Sequence, residues 1–342
     1  MRSLRHILAC GAGVIALVFF SIALTNCETR KKAAQRDTET FEETLAKAEL
    51  VEKDTEEKPN GKAEESKEET FEEIRAKAEQ GDAIAQNKLG VSYDKGEGVV
   101  KNEAEAVKWY RKAAEQGNAK AQFNLGMSYY FGGGVVKNYT ESLQWLRKAA
   151  VQDNSDAQFV LGVYYLEGFE LEKNEAEAVA WLRKAAEQGE ADAQYLLGRC
   201  YANGTGVDKK EAEAVKWYRK AAEQGKSHAQ YNIGLCYSKG KGLVKNEVEA
   251  IKWYRKAAVQ GHSEALLCLG LSYDSHDKRE GDVKNDLLAY QWYLLASAKG
   301  NETARENLPK LEQKLTAEQR AEGQRLATEW QAAFEKKQEN VK

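Results

Sequence analysis

One short pattern recurs every 36 residues through most of the chain. Leu89-Gly90-x-x-Tyr93 is followed by copies beginning at Leu125, Leu161, Leu197, Ile233 and Leu269, each 36 residues after the last. Behind each copy comes Trp-(Tyr/Leu)-x-x-Ala, at Trp109, Trp145, Trp181, Trp217, Trp253 and, after a three-residue insertion, Trp292. A fixed period of this size requires stacked supersecondary units, each touching only its neighbours. The inference from 342 residues to two or more closed domains therefore fails, and one elongated array is expected. Proline occurs only at Pro59 and Pro309 while Ala, Glu, Lys, Gln and Leu abound, so the array should be all-α. Arrays of this kind mostly bind and seldom catalyse.

Each unit reads as two antiparallel helices. In the first, helix A runs from about Asp82 to Asp94 and Gly96-Glu97-Gly98 ends it, because glycine enters the left-handed conformation without a Cβ clash. No strand precedes these glycines and no Gly-Lys-Ser/Thr follows them, so they mark a turn, not a phosphate cradle. Helix B starts at Asn102 and ends near Gln116, with Asn102 and Glu105 spaced as in a capping box. Asn138/Glu141, Asn174/Glu177 and Asn246/Glu249 repeat that pairing, whereas Lys210 breaks it and leaves Asp208 as the substitute. Gly90 and its five equivalents sit mid-helix, where glycine costs about 1 kcal/mol relative to alanine. Such recurrence implies a steric need, and close approach to Ala113-Ala114 of helix B is the simplest one. Leu89, Tyr93 and Trp109 should fill the space between units; at helical spacing the Trp series reads as core, with a sugar-binding ladder as the other possibility.

The full unit carries Ala-x-Ala-Gln-x-x-Leu-Gly-x-x-Tyr, a Gly-x-Gly-Val loop and Glu-Ala-x-x-Trp-Tyr-Arg-Lys-Ala-Ala-Glu-Gln-Gly. It resembles the Sel1-like repeat family over residues 81–300, as six units at 81–116, 117–152, 153–188, 189–224, 225–260 and 261–300. The resemblance implies a right-handed superhelical solenoid related to tetratricopeptide arrays, whose unit is shorter, at about 34 residues. The third unit departs from the pattern at Asp153 and at Phe169-Glu-Leu, and the sixth at Ser275 to Asp282.

The ends of the chain differ from the array. Arg2 and Arg5 precede an apolar run from Ile7 to Leu24, and Cys27 follows Leu24-Thr25-Asn26. Residues 1–26 look like a bacterial lipoprotein signal with Cys27 as the lipidated residue, although Asn26 stands where a small residue is usual. An uncleaved anchor over the same apolar run stays open. Residues 27–66 read as a charged tether, too polar to bury a core. Within it Thr40-Phe-Glu-Glu-x-x-Ala-Lys-Ala-Glu49 reappears as Thr70 to Glu79, so residues 67–80 are expected to form a capping helix on the first unit. At the other end, residues 301–342 read as a C-terminal capping helix and tail. Thr316 and Gln319 are spaced as a capping box, and Leu315, Leu326, Trp330 and Phe334 fall on one face.

Nothing points to an enzyme or a cofactor. His6, His228, His262 and His276 lack metal-ligand spacing, and there is no Gly-x-Ser-x-Gly elbow. Cys200 and Cys236 hold equivalent places in adjacent units, roughly one helix-packing distance of 8 to 10 Å apart and too far for a disulfide. Cys236 with Cys268 is the more plausible bridge, against buried free thiols throughout. A net charge of −3 with interspersed Lys and Glu offers no field for nucleic acid, and a monomer is expected.

Recognition is then expected where the copies differ. In helix A the fixed positions, Ala85, Leu89, Tyr93 and equivalents, share one face, and the variable ones lie opposite. There stand Phe123, Phe159, Tyr195 and Tyr231 at one level, with Asn124, Asn232, Met127 and Arg199 beside them. In related superhelices the matching face lines a concave groove for peptides, and a row of rings with amides suits an extended peptide. The other possibility is that these rings only pack between adjacent A helices. Two functions remain: a non-catalytic scaffold in the bacterial cell envelope that recruits protein or peptide partners, or a peptidoglycan-binding protein that modulates envelope enzymes.

Overall fold

In the computed structural model, residues 69–168, 172–275 and 283–339 are described, and among them every regular element is a helix. The leader, Cys27, the tether and the first copy of the duplicated segment lie outside the described residues, as do the turns at 169–171 and 276–282. A single helix α1 (Phe71–Glu79) precedes the pairs α2 (Ala83–Lys95) and α3 (Glu103–Glu115), α4 (Ala119–Phe131) and α5 (Tyr139–Val151), and α6 (Ser155–Glu167) and α7 (Glu175–Glu187). Three further pairs follow: α8 (Ala191–Asn203) and α9 (Glu211–Glu223), α10 (Ser227–Lys239) and α11 (Glu247–Ala258), and α12 (Ser263–Ser275) and α13 (Val283–Ala298). Two more helices, α14 (Glu302–Glu312) and α15 (Ala317–Glu339), close the stack. The strongest helix contacts join sequence neighbours, as a one-dimensional array requires, and only at the C-terminal end does α15 fold back onto α13.

The helix boundaries follow from local chemistry. Asn102, Asn138, Asn174 and Asn246 each accept the backbone N–H three residues on, at 3.1 Å, fixing the start of α3, α5, α7 and α11. The reciprocal half of the expected capping box is diverted. Glu105 and Glu249 pair with Lys108 and Lys252, and Glu177 accepts the indole N–H of Trp181. The α9 start has no side-chain cap, so Asp208 does not stand in for the missing Asn. Complete boxes occur at Thr70/Glu73 and Thr316/Gln319, the two ends of the array. Where the connection from B to A helices uses glycine at φ of 80 to 98°, the third unit uses Asp153 at φ 61°. Its carboxylate accepts from Gln158 Nε2 at 3.2 Å, which helps hold a conformation that a side chain seldom adopts.

The mid-helix glycines have a different partner from the one expected. A Cβ on Gly90 would lie 2.6 Å from the Tyr110 ring, and one on Gly162 would lie 2.6 Å from Leu182 Cγ. The other four meet Leu146, Tyr218, Tyr254 and Tyr293 in the same way. The residue after each Trp, not the Ala pair, presses into the gap that glycine leaves. Helix B turns that side chain onto the glycine, while Ala113 and Ala114, at 0 and 2 % exposure, line the seam beside it. Leu89, Leu125, Leu161, Leu182 and Leu197 are fully buried, each contributing about 1.5 to 3 kcal/mol.

Two polar ladders tie unit to unit. Gln86 is buried, donates to the Ala78 carbonyl of the preceding helix and accepts from Gln116 of its own unit at 2.7 Å. Gln122, Gln158, Gln194 and Gln230 repeat both bonds, so a carbonyl in the last turn of each of the first four B helices is satisfied by the next unit. On the other side Arg111 donates to the Tyr129 hydroxyl at 2.6 Å, and Arg147, Arg183, Arg219 and Arg255 serve Tyr165, Tyr201, Tyr237 and Tyr273 alike. The Trp series is covered rather than displayed: Lys112 lies 3.9 Å from the centre of the Trp109 ring, and four equivalent lysines cover the next four indoles. That arrangement makes the indoles part of the packing and leaves no open sugar ladder in those five units.

The ends are closed by imperfect copies of the same packing. Phe71 of α1 packs on Gly98 and edge-on against Tyr93, with ring centroids 6.0 Å apart. The C-terminal segment, expected as one helix, is two, because Asn301 and Thr316 each start a new one. Gly323 of α15 seats Tyr290, Trp330 meets Trp292 edge to face, and Phe334 stacks on Trp330 at 5.6 Å. Leu315 is buried in the turn before α15, while Leu326 is only half-buried on it.

Candidate interaction face

The A helices present the variable positions in successive units, but burial divides them into two sets. Phe159 and Tyr195 are 8 and 7 % exposed, so the centre of the aromatic row belongs to the core. Tyr195 lies 6.0 Å from the Tyr218 ring of its own unit and 5.9 Å from His228 of the next, filling the seam between adjacent A helices. Burial pushes the Tyr195 hydroxyl's pKa up, with Arg199 and Asn232 lying against it and pulling the other way. Phe123, Asn124, Met127, Arg199, Tyr231 and Asn232 are half-buried and reach the surface in units two, four and five.

Part of the hydrogen-bonding capacity expected for a peptide is used within the array. Asn124 Nδ2 donates to Asn87 Oδ1 at 3.0 Å across a unit boundary, and Asn232 Nδ2 donates to the His228 carbonyl at 2.7 Å. Each amide retains further donor and acceptor positions, since Asn offers two of each. Two shallow clefts lie by the loops, one at Tyr165, Glu172, Lys173 and Asn174 and the other at Asp153, Lys184, Glu187 and Gln188. No residue of the row lines either. The half-buried residues of the row are spread over several units, an arrangement suited to a chain laid across them.

Sequence reasoning missed a cluster at the N-terminal edge of this face. His228 and His262 meet edge to face at 4.8 Å, and His262 stacks on Tyr231 at 4.7 Å. Asp192 pairs with Lys226 at 2.8 Å beside them. The signal was their separation of 34 residues, two short of the period, which puts the two imidazoles on facing edges of adjacent units. Among the described residues no three His, Cys, Asp or Glu side chains are placed to hold a metal ion. Cys200, Cys236 and Cys268 are buried and form no disulfide, and burial raises the first two thiols to about 11, out of the reactive range.

Stacked helix pairs with a buried fixed face and a half-exposed variable one define a repeat-type α-solenoid. The chain belongs to the Sel1 repeat family, whose profile matches residues 83–118, 119–154, 155–190, 191–226, 227–262 and 267–301. It is similar to a Sel1 repeat protein from Oxalobacter formigenes at 34% identity and a TM-score of 0.57, over 74% of this chain and 95% of that one. It is also similar to c5321, a protective antigen of uropathogenic Escherichia coli strains with an SLR fold, at 34% identity and a TM-score of 0.53. That likeness covers 79% of this chain and 66% of c5321. No curated protein matches the chain. Sel1 repeat proteins generally mediate protein–protein interactions, and the family is generally non-catalytic.

Proposed function

We propose that the protein is a non-catalytic scaffold of the bacterial cell envelope, held to a membrane through lipidated Cys27, that binds an extended segment of a protein partner across its A helices. One observation carries the binding half of this reading. Residues fixed by the repeat are consumed in packing, whereas Phe123, Asn124, Met127, Arg199, Tyr231 and Asn232 differ between units and remain half-exposed on one face. Hydrophobic area, amides and a guanidinium spread over several units suit a peptide backbone with alternating side chains. The envelope half rests on the Arg2/Arg5, apolar-run and Cys27 pattern. Full-length protein used as bait in detergent-solubilised envelopes is expected to retain specific proteins and not to co-sediment with purified peptidoglycan. Labelled palmitate is expected in the wild type and absent from Cys27→Ala. Sedimentation with peptidoglycan and no retained protein would favour the cell-wall reading, and equal label in both chains would remove Cys27 as the acceptor.

A further inference from the structure

In the first four units the N-terminus of the A helix is capped by the side chain of the residue before it, whereas Lys226 gives the fifth no such cap. Asp82, Asn118, Asn154 and Glu190 turn a side-chain oxygen onto the N–H of the third residue of the helix, Ala85, Ala121, Ala157 and Ala193. In the sixth unit that place is taken by His262, which receives the Ala265 N–H in a shared bond, at 3.1 Å on its carbonyl oxygen and at 3.4 Å on Nδ1. An imidazole nitrogen accepts only while unprotonated, so this cap requires the neutral ring with its proton on Nε2. Nε2 is buried and has no hydrogen-bond partner. The ring itself is 9 % exposed, stacked on Tyr231 and edge-on to His228.

We propose that His262 is an acid-labile cap: its protonation releases the start of α12 and loosens the sixth unit from the fifth. On taking a proton Nδ1 becomes a donor, and the carboxylate within reach is Glu264 Oε2 at 3.3 Å, so the ring exchanges the helix N–H for Glu264. The cation then sits at a helix N-terminus, where the backbone dipole disfavours positive charge, and 4.8 Å from a second imidazole. The other charged groups near the pair are Asp192, Lys226 and Arg199; Asp192 favours the protonated state of His228 and the two cations oppose it.

The direction of the pH dependence follows from linkage. Burial first, then the neighbouring His228, pushes His262 down to about 4, with Glu264 acting weakly against them. A group depressed on folding contributes stability that is fully present above its unfolded value near 6.5. That contribution is lost as pH falls from there toward 4. Exposure of His262 on opening should therefore favour the open state roughly twentyfold more at pH 5 than at pH 7.

Hydrogen exchange of the full-length chain in detergent, corrected for intrinsic rates, tests this. Protection of α12 amides should drop roughly twentyfold between pH 7 and pH 5 while that of α4 holds. His262→Asn, which installs the cap used at Asn118 and Asn154, should flatten the α12 response. His262→Asp, the cap of the first unit, provides a second chain should the Asn variant not fold. An unchanged acid response in the capped variant, a response that disappears only in His228→Asn, or constant protection in the wild type would each overturn the proposal.

Discussion

Gly162→Leu is expected to disrupt the centre of the array and to split its cooperative melt. Even a bare Cβ there would stand 2.6 Å from Leu182 Cγ and 3.3 Å from the Ala178 carbonyl, and the remaining atoms of a leucine have no free volume to enter. Overpacking of a filled core costs typically about 1 to 3 kcal/mol, and two helices cannot separate without losing Leu161 and Leu182, both fully buried. Because an array's stability is a sum over units and their interfaces, weakening the third unit should uncouple the units on either side. Thermal melting followed by circular dichroism reads this as a lowered, broadened transition. A melting profile equal to the wild type would remove the steric account of the glycines.

Phe159→Ala combined with Tyr195→Ala is expected to destabilise strongly. Read from the sequence, the pair should affect partner binding with little loss of stability; their exposures of 8 and 7 % reverse that expectation. Truncating a buried aromatic costs about 3 to 5 kcal/mol, and both rings belong to one continuous hydrophobic cluster that also holds Leu161, Leu197 and Tyr218. Chemical denaturation should show a midpoint far below the wild type. A midpoint close to the wild type would mean that the rings are displayed, as a groove made only of aromatics would require.

These two cases show where the sequence was legible and where it was not. The period, the helix pairing and most caps could be read directly, because Asn102, Gly96 and their equivalents act through neighbours three to five residues away. The partner of Gly90 could not, since Tyr110, Ala113 and Ala114 all fall near the facing side of helix B and only its rotation decides which one presses inward. The aromatic row shares one repeat position, but the depth of each ring depends on its packing and is not written in the repeat. Tyr195 is covered by His228 of the next unit and is buried, while Phe123 at the same repeat position packs only partly against the core and stays half-buried. The Gln ladder was visible as a recurrence of Gln86 and Gln116 without any hint that Gln86 reaches the preceding helix while Gln116 holds it within the unit.

The central claim is that fixed residues pack and varying residues recognise, and the array's own repeats supply the substitutions to test it. Met127, Arg199 and Leu235 occupy one equivalent position in units two, four and five, all half-buried on the A-helix face. Met127→Arg with Arg199→Leu therefore exchanges surface chemistry between units using residues that this position already accommodates. Capture of envelope proteins by the full-length double variant, measured beside its melting profile, is the direct test. The claim predicts that capture falls at least tenfold while stability stays within about 0.5 kcal/mol of the wild type. Capture at the wild-type level by the folded variant would contradict it.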